Sequence, residues 1–316
     1  MPWHIGIDEA GYGPNLGPFV MTLVACNTPD DGCLWNRLKS CFRRFDDTAD
    51  DRLIVADSKL VYSPNNGWAD LERTALTVCS HCFDQPTTLA TLLDHLATDD
   101  MPMLANEAWF TGASALPMDT PGENLVADIA ALRQASKDEA VTWGFCRSVI
   151  VPAPGFNDLI DRWDSKAAVL SVAITRLMQQ CLENTRADPM RFTVDKHGGR
   201  NAYYALLQHV FANGLVYVEE ESRQRSVYRV DGLDRQIRIT FMPKADVEHF
   251  TVALASMISK YVRELLMAEF NRFWQAQVPG LEPTAGYPQD AVRYIQAIRP
   301  AMLRLGIPER AVWRRR

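Results

Sequence analysis

The feature that most constrains this chain is the stretch IGIDEAGYGPNLGP at residues 5–18. An apolar run ends there on two adjacent carboxylates, Asp8 and Glu9, and Gly11, Gly13 and Gly17 follow within seven positions. Adjacent like charges disfavour each other's ionisation, so such a pair belongs either in a hydrated turn or around a cation. Glycine serves both cases, since it supplies turn conformations and lets a ligand approach the backbone closely. The rest of the sequence bears on the choice.

Segments 3–8 and 19–26 read as strands joined by the glycine-rich turn. DSKLVYSPNNG reads as a loop containing Ser58 and Lys59, and 68–83 as a helix. The stretch 85–138 is irregular, with Pro86, Pro102, Pro117 and Pro121 between short helical patches. It reads as an insertion packed on a core. A strand over 140–152 precedes a long helical pattern over 156–184, where Val169, Ala173, Leu177 and Cys181 recur four apart. A short strand at 191–195 and a helix at 198–214 follow. The segments LVYVEE, SVYRV and QIRITFMP read as strands, and helices over about 247–275 and 288–305 close the chain. Alternating strands and helices, with a later run of hairpin-like strands, give an α/β class: a mixed sheet with helices on its faces.

Composition narrows the function. The 316 residues are 47% apolar and 23% charged, enough for a sizeable core, and the apolar runs are too short to span a bilayer. The opening Met-Pro-Trp-His lacks a secretory pattern. Seven scattered cysteines suit reduced thiols, so a cytoplasmic location is expected. Cys79-Ser-His-Cys82 lacks the second ligand pair that a zinc site needs. A net charge of −6 argues against strong non-specific binding to nucleic acid. The only dense positive cluster, Arg310, Arg314, Arg315 and Arg316, reads as a solvated end.

Three strand-like segments end in acids: Asp8-Glu9, Asp195 and Asp246. Each has an ordinary alternative, Asp246 as a helix N-cap, Asp195 and Asp8 as turn residues. Gathered at neighbouring strand ends, all four would need a divalent cation. Oxygen donors suit Mg²⁺ or Mn²⁺, and two such ions can drive phosphodiester hydrolysis. On the last long helix, Phe250, Leu254, Ile258, Tyr261 and Leu265 share a core face. Ser256, Lys260 and Arg263 lie opposite, either solvated or in contact with phosphate. Lys196, His197 and Arg200, which follow Asp195, read as a hydrated turn, with phosphate binding or help in product departure as the alternative.

GIDEAGYGPNLGP resembles the opening motif of the ribonuclease HII family, the type 2 ribonucleases H, of the form G-x-D-E-x-G-R-G-x-x-x-G. ADSKL is similar to that family's D-S-K-x-L, FTVD to the strand bearing its third acid, KADVEHFTVALASMISKYVRELLM to its K-G-D…A-S-I-x-A-K-V-x-R-D stretch, and GYP at 286–288 to G-Y-x-T. The resemblance implies a ribonuclease H-like mixed sheet flanked by helices, in a single catalytic domain over 1–316 with insertions at 85–138 and 200–240. It implies metal-binding and catalytic roles for Asp8, Glu9, Asp195 and Asp246, with Mg²⁺ or Mn²⁺, two ions. It also implies that Gly11, Tyr12, Gly13 and Tyr287 approach the sugar 2′-hydroxyl, and that Ser58, Lys59, Ser256, Lys260 and Arg263 line a phosphate track.

The implied partner is an RNA–DNA hybrid or a duplex DNA containing ribonucleotides, with no membrane. The implied activity is endonucleolytic hydrolysis of the RNA strand, or cleavage 5′ of an embedded ribonucleotide. Two other readings stand beside it: a nuclease acting on another structured nucleic acid, and a non-catalytic binding or scaffolding protein. The sequence departs from the pattern at Tyr12, where the motif has arginine. It departs again at Ala245, where the motif has glycine, and at Glu264, where the motif has aspartate.

Overall fold

The computed structural model describes residues 1–48, 50–62, 67–185 and 187–315. Residues 63–66 of the loop expected over 57–67, and Arg316 of the expected solvated end, lie outside them. The strands are β1 (Trp3–Ala10), β2 (Phe19–Asn27), the short pair β3 (Phe42–Arg43) and β4 (Leu53–Ile54), then β5 (Thr142–Val151), β6 (Met190–Asp195), β7 (Leu215–Glu221), β8 (Ser226–Asp231) and β9 (Ile237–Met242). Before β5 come the helices α1 (Leu34–Arg37), α2 (Ser58–Val61), α3 (Ala69–Cys82), α4 (Leu89–Leu96), α5 (Met101–Leu104) and α6 (Gly122–Asp138). After it come α7 (Ala153–Trp163), α8 (Ala167–Asn184), α9 (Tyr204–Val210), α10 (Ala245–Glu248), α11 (Phe250–Gln277) and α12 (Pro288–Leu305).

Seven strands form one sheet in the order β5-β2-β1-β6-β9-β8-β7. β1, β6 and β9 are parallel neighbours, while the pairings β1–β2 and β2–β5 on one side and β9–β8 and β8–β7 on the other are antiparallel. The expected α/β class, a mixed sheet between helices, is the one found. Period-two alternation divides β2 between two cores: Phe19, Met21, Leu23 and Ala25 pack with α7, α8 and α9, while Val20, Val24 and Cys26 pack with α3 and α11. With both faces covered, all nine residues of β2 are buried. No helix among the described residues is long and apolar enough to cross a membrane.

A direct contact between backbones of two layers lies at Gly6. A Cβ on Gly6 would stand 2.2 Å from the Thr251 carbonyl carbon and 2.3 Å from the Val252 nitrogen, so the first turn of α11 rests directly on the backbone of β1. The helix buries twenty of its 28 residues, including Ser256 and Arg263. The solvated alternative for the polar stripe is not the one found: α11 is packed between β1, β2, α3 and α12, and Ser256 and Arg263 face other protein groups.

Three expected helices have different limits. The pattern over 156–184 is two helices, α7 and α8, parted at Asp164, which adopts φ 48°. The helix expected over 198–214 contracts to α9, since Gly198 takes φ 55° and the chain regains helical geometry only at Tyr204. Asp246 lies in α10, which the extended His249 separates from α11. Ser58 and Lys59, expected in a loop, open the short α2, and the Asp57 side chain caps it by accepting from Lys59 N.

The two long intervals are ordered differently. Within 85–138 the chain is pinned by two acids of the core helices. Glu72 accepts from the backbone N–H groups of Met118, Asp119 and Thr120 and from the Tyr261 hydroxyl. Glu269 accepts from Thr111 and Gly112 N–H and from the Thr111 and Ser114 hydroxyls. Between β6 and β9, the chain from α9 to β8 adds two antiparallel strands to the sheet edge.

Replacing Gly6 by alanine forces β1 and α11 apart. We expect Gly6→Ala to destabilise the fold by about 3 kcal/mol or more, measured by denaturant unfolding. A loss under about 1 kcal/mol would show that the two backbones do not meet as described.

Candidate active site

Because Gly6 seats α11 on β1, residues one and two turns further along the helix reach the end of the strand. Ser259 donates to the Asp8 carbonyl at 3.0 Å and lies 2.8 Å from Thr22 Oγ1, itself 2.8 Å from Ser148 Oγ. Ser256 hydrogen-bonds the Asp8 carboxyl and stands 3.1 Å from Ser58 Oγ. Backbone N–H of Glu9 donates to Asp8 Oδ1 at 2.7 Å. Parallel pairing of Ile7 with Val194 puts Asp195 beside Asp8 at the next step. Asp195 Oδ1 accepts from Ala245 N at 2.9 Å, which ties the start of α10, and so Asp246, to the same sheet end.

Electrostatics shows the four acids interacting. Burial pushes the Asp8 carboxyl well above the usual carboxylate range, and the charges of Glu9 and Asp195 push it further. Asp195 is raised by burial first; the Ala245 N–H opposes this, and Glu9 adds to it. Burial, then Asp57 and Asp195, raise Asp246 to about 6 against the pull of Lys59. Asp57, which the sequence reading did not single out, thus joins the negative cluster. Among the described residues, no three His, Cys, Asp or Glu side chains as they stand form a group that holds a metal ion. This covers the acids as well as Cys79 and Cys82.

The turn after Asp195 is not the hydrated one expected. Lys196 is buried and donates to the carbonyl of Ser222. Arg200 donates to Ala202 O and Ser171 Oγ, and lies over the Tyr203 ring. His197 turns inward: its side chain is 4% exposed, and Nε2 lies 3.5 Å from Glu9 Oε2. Neither ring nitrogen of His197 has a hydrogen-bond partner among the described residues, nor does Glu9 Oε2. The signal in the sequence was its position two residues beyond Asp195.

The glycine loop stands against α11 and the segment before α12. Gly11 has φ 83°, and a Cβ there would meet Arg263 Nε at 2.3 Å, so no side chain is accommodated. Arg263 is buried behind the loop, donating to Ala285 O at 2.9 Å with Glu264 Oε1 at 3.4 Å. Asn15 and Leu16 N–H groups both donate to Gly286 O, which brings the exposed Tyr287 alongside Gly13. Tyr12 packs edge-on against Phe19 with Lys166 Nζ 4.7 Å from its ring centroid. Burial, then Glu9, raises its phenol.

Of the five residues expected along a phosphate track, Lys59 is exposed. Ser58 and Ser256 are buried against each other, Arg263 is buried behind the loop, and Lys260 is paired with Glu264 at 2.6 Å. The arginine cluster expected to be a solvated end is also different. Arg310 and Arg315 make exposed ion pairs, whereas Arg314 is completely buried beneath the loop.

No protein-family model and no curated protein matches the sequence. Solved structures similar to it over nearly its whole length include ribonuclease HII of Archaeoglobus fulgidus in its complex with PCNA. That likeness has 15% identity, 99% of this chain and 94% of that one, and a TM-score of 0.42. Ribonuclease H2 of Pyrococcus horikoshii OT3 is similar at 14% identity over 98% and 92%, with a TM-score of 0.46. Bst-RNase HIII in complex with Mn²⁺ is similar at 16% identity over 98% of this chain and 65% of that one, with a TM-score of 0.42.

The raised carboxyl of Asp246 has a consequence for stability. Its folded-state pKa of about 6 exceeds the ordinary 3.8, so the folded state binds the proton more tightly. The penalty is absent below about pH 4 and complete above about pH 6. In metal-free protein, Asp246→Asn is therefore expected to raise Tm at pH 8 by several degrees, on the order of 2 kcal/mol, with the gain vanishing at pH 4. A Tm at pH 8 equal to or below wild type would remove Asp246 from the repulsive cluster.

Proposed function

We propose that this chain is a divalent-cation-dependent endonuclease of the ribonuclease H type. It hydrolyses the RNA strand of RNA–DNA hybrids or cuts at ribonucleotides embedded in duplex DNA. The observation that supports the reading is the mutual charge repulsion of acids at the ends of β1 and β6 and in α10, beside an open glycine loop and an exposed tyrosine. The motif resemblance supports the choice of substrate. On this reading 1–316 is one catalytic unit, with 85–138 and 200–240 as insertions.

The donor set fits Mg²⁺ or Mn²⁺. Asp8, Glu9, Asp195 and Asp246 offer hard oxygen donors, and burial followed by the charges of Glu9 and Asp195 raises the Asp8 carboxyl. The buried Glu9 Oε2 has no hydrogen-bond partner among the described residues. Two ions held there supply activation of the attacking water and stabilisation of the leaving oxygen. The remaining tasks belong to this chain. Ser256 and the Glu9 N–H orient the Asp8 carboxylate. The Gly11–Gly13 backbone and Tyr287 meet the sugar 2′-hydroxyl, the group that marks RNA. Lys59, exposed beside Asp246, meets the flanking phosphates.

The test is cleavage of labelled RNA–DNA hybrid and of DNA duplex with one ribonucleotide, in Mg²⁺ or Mn²⁺. Wild type is expected to cut, chelation to abolish cutting, and Asp8→Asn to lower it at least about a hundredfold. A 2′-deoxy sugar at the cut position is expected to abolish it as well. Failure to cut any ribonucleotide-containing duplex would overturn the assignment. Indifference to the deoxy substitution would point to another structured nucleic acid.

A further inference from the structure

The buried Arg314 has no place in the chemistry described so far, yet the segment 310–315 is built around it. Arg314 N donates to Asn15 O at 2.8 Å, and Asn15 Nδ2 donates back to Arg314 O at 3.0 Å. Leu16 and Trp313 form an antiparallel bridge. From the other side, Asn157 Nδ2 donates to the carbonyls of Arg310 and Trp313, and its Oδ1 accepts from Arg315 N. So clamped, Arg314 stacks over Phe156 with Cζ 4.5 Å from the ring centroid. Its Nη2 donates to Gly11 O at 2.6 Å and also to Pro14 O. Nε and Nη1 are buried without a partner among the described residues.

A guanidinium is an expensive group to bury, and this one is directed at the carbonyls of the glycine loop. Across a trans peptide, C=O and N–H point in opposite directions. Turning Gly11 O toward Arg314 therefore turns the Tyr12 N–H away from it. The nearby open features of the loop are the exposed Gly13 and Tyr287.

We propose that Arg314 is the positioning residue of the glycine loop: by holding the Gly11 and Pro14 carbonyls, it aims the Tyr12 N–H at the substrate's sugar–phosphate backbone. The inference rests on the nuclease reading, because it names the part of that site which recognises the substrate. It gives the Arg314 guanidinium a part in substrate recognition through the loop carbonyls it holds. Arg314 touches no substrate itself.

The test compares full-length wild type, Arg314→Met, Arg314→Lys and, as control, Arg315→Met, whose side chain is half exposed and paired with Asp161. Three properties are measured: amide hydrogen exchange of the peptide covering 10–18, Mn²⁺ affinity, and kcat and KM on the one-ribonucleotide duplex. In Arg314→Met, exchange in 10–18 is expected to rise at least tenfold while Mn²⁺ affinity stays within about threefold. Its kcat/KM is expected to fall about 10- to 100-fold. Arg314→Lys is expected to recover part of each loss, and Arg315→Met to match wild type.

Unchanged exchange in Arg314→Met overturns the proposal whatever the activity. Faster exchange with unchanged kcat/KM also overturns it, since Arg314 is then structural only. Loss of Mn²⁺ affinity in parallel with activity overturns it as well, by placing the defect at the carboxylates. A wild type that cuts no ribonucleotide-containing duplex overturns the nuclease reading and the substrate role together, and the exchange data then report the loop contact alone.

Discussion

Everything at the candidate site depends on α11 lying directly on β1 at Gly6. Without a side chain at that position, the helix backbone meets the strand backbone, and the helix axis then determines what lies under each later residue. Val252, Ser256, Ser259, Arg263 and Met267 follow one another at intervals of four, three, four and four, one line along a helix. That line passes the contact with Gly6, the carboxyl of Asp8, its carbonyl, Gly11 and finally Gly17, where a Cβ would collide with Met267 Sδ. A single rigid element thus registers the acid pair and the glycine loop against each other. It carries Glu269 as well, which ties down the segment around Thr111.

Two buried acids of the core helices differ from those of the candidate site in what surrounds them. Burial works against Glu269, yet two backbone N–H groups and two hydroxyls outweigh it and hold its carboxyl below the usual range. Glu72 is likewise met by three backbone N–H groups and a tyrosine hydroxyl. Asp8, Asp195 and Asp246 sit above their ordinary range because burial raises them and neighbouring acids raise them further. These two structural carboxylates are matched by donors, as buried charges must be. Those at the strand ends are left short of positive charge, the arrangement that perturbs pKa values at functional sites.

Much of this was legible in the sequence, and the limits have physical causes. The strand ends carrying Asp8 and Asp195 followed from short apolar runs stopped by acids, and the parallel sheet aligned them. The polar stripe Ser256, Lys260 and Arg263 was visible at helical spacing, but periodicity does not say whether a polar face meets water or other protein groups. A helix covered on nearly all sides hides this most thoroughly. Ser259, between Ile258 and Lys260, carries no pattern of its own; its position three residues after Ser256 is the available clue. The burial of Arg314 is hidden from the sequence for a different reason. Its partners Gly11 and Pro14 lie some three hundred positions away, and no local signal marks a contact between segments so distant. Lys196 and His197 resembled a solvated turn because Gly198 and Gly199 follow them, yet the added strands β7 and β8 bring Ser222 over that turn.

On the proposed reading, a chain of net charge −6 takes a polyanionic substrate, and the distribution of charge resolves the tension. Acids crowd the strand ends, where cations would gather, while two guanidiniums, Arg263 and Arg314, lie buried under the adjacent loop. Burial lowers both, and the repulsion between them lowers Arg314 further, to about 9. Because each is packed behind backbone, neither forms the long exposed basic track that gives sequence-independent affinity for duplexes. Their field acts over the few ångströms of the glycine loop, where a phosphate beside the cut sugar would lie. Such a protein gains little by binding nucleic acid in general and much by fitting one sugar against one loop. Selectivity then resides in backbone geometry, which makes the side chains that fix that geometry from behind as consequential as those that face the substrate.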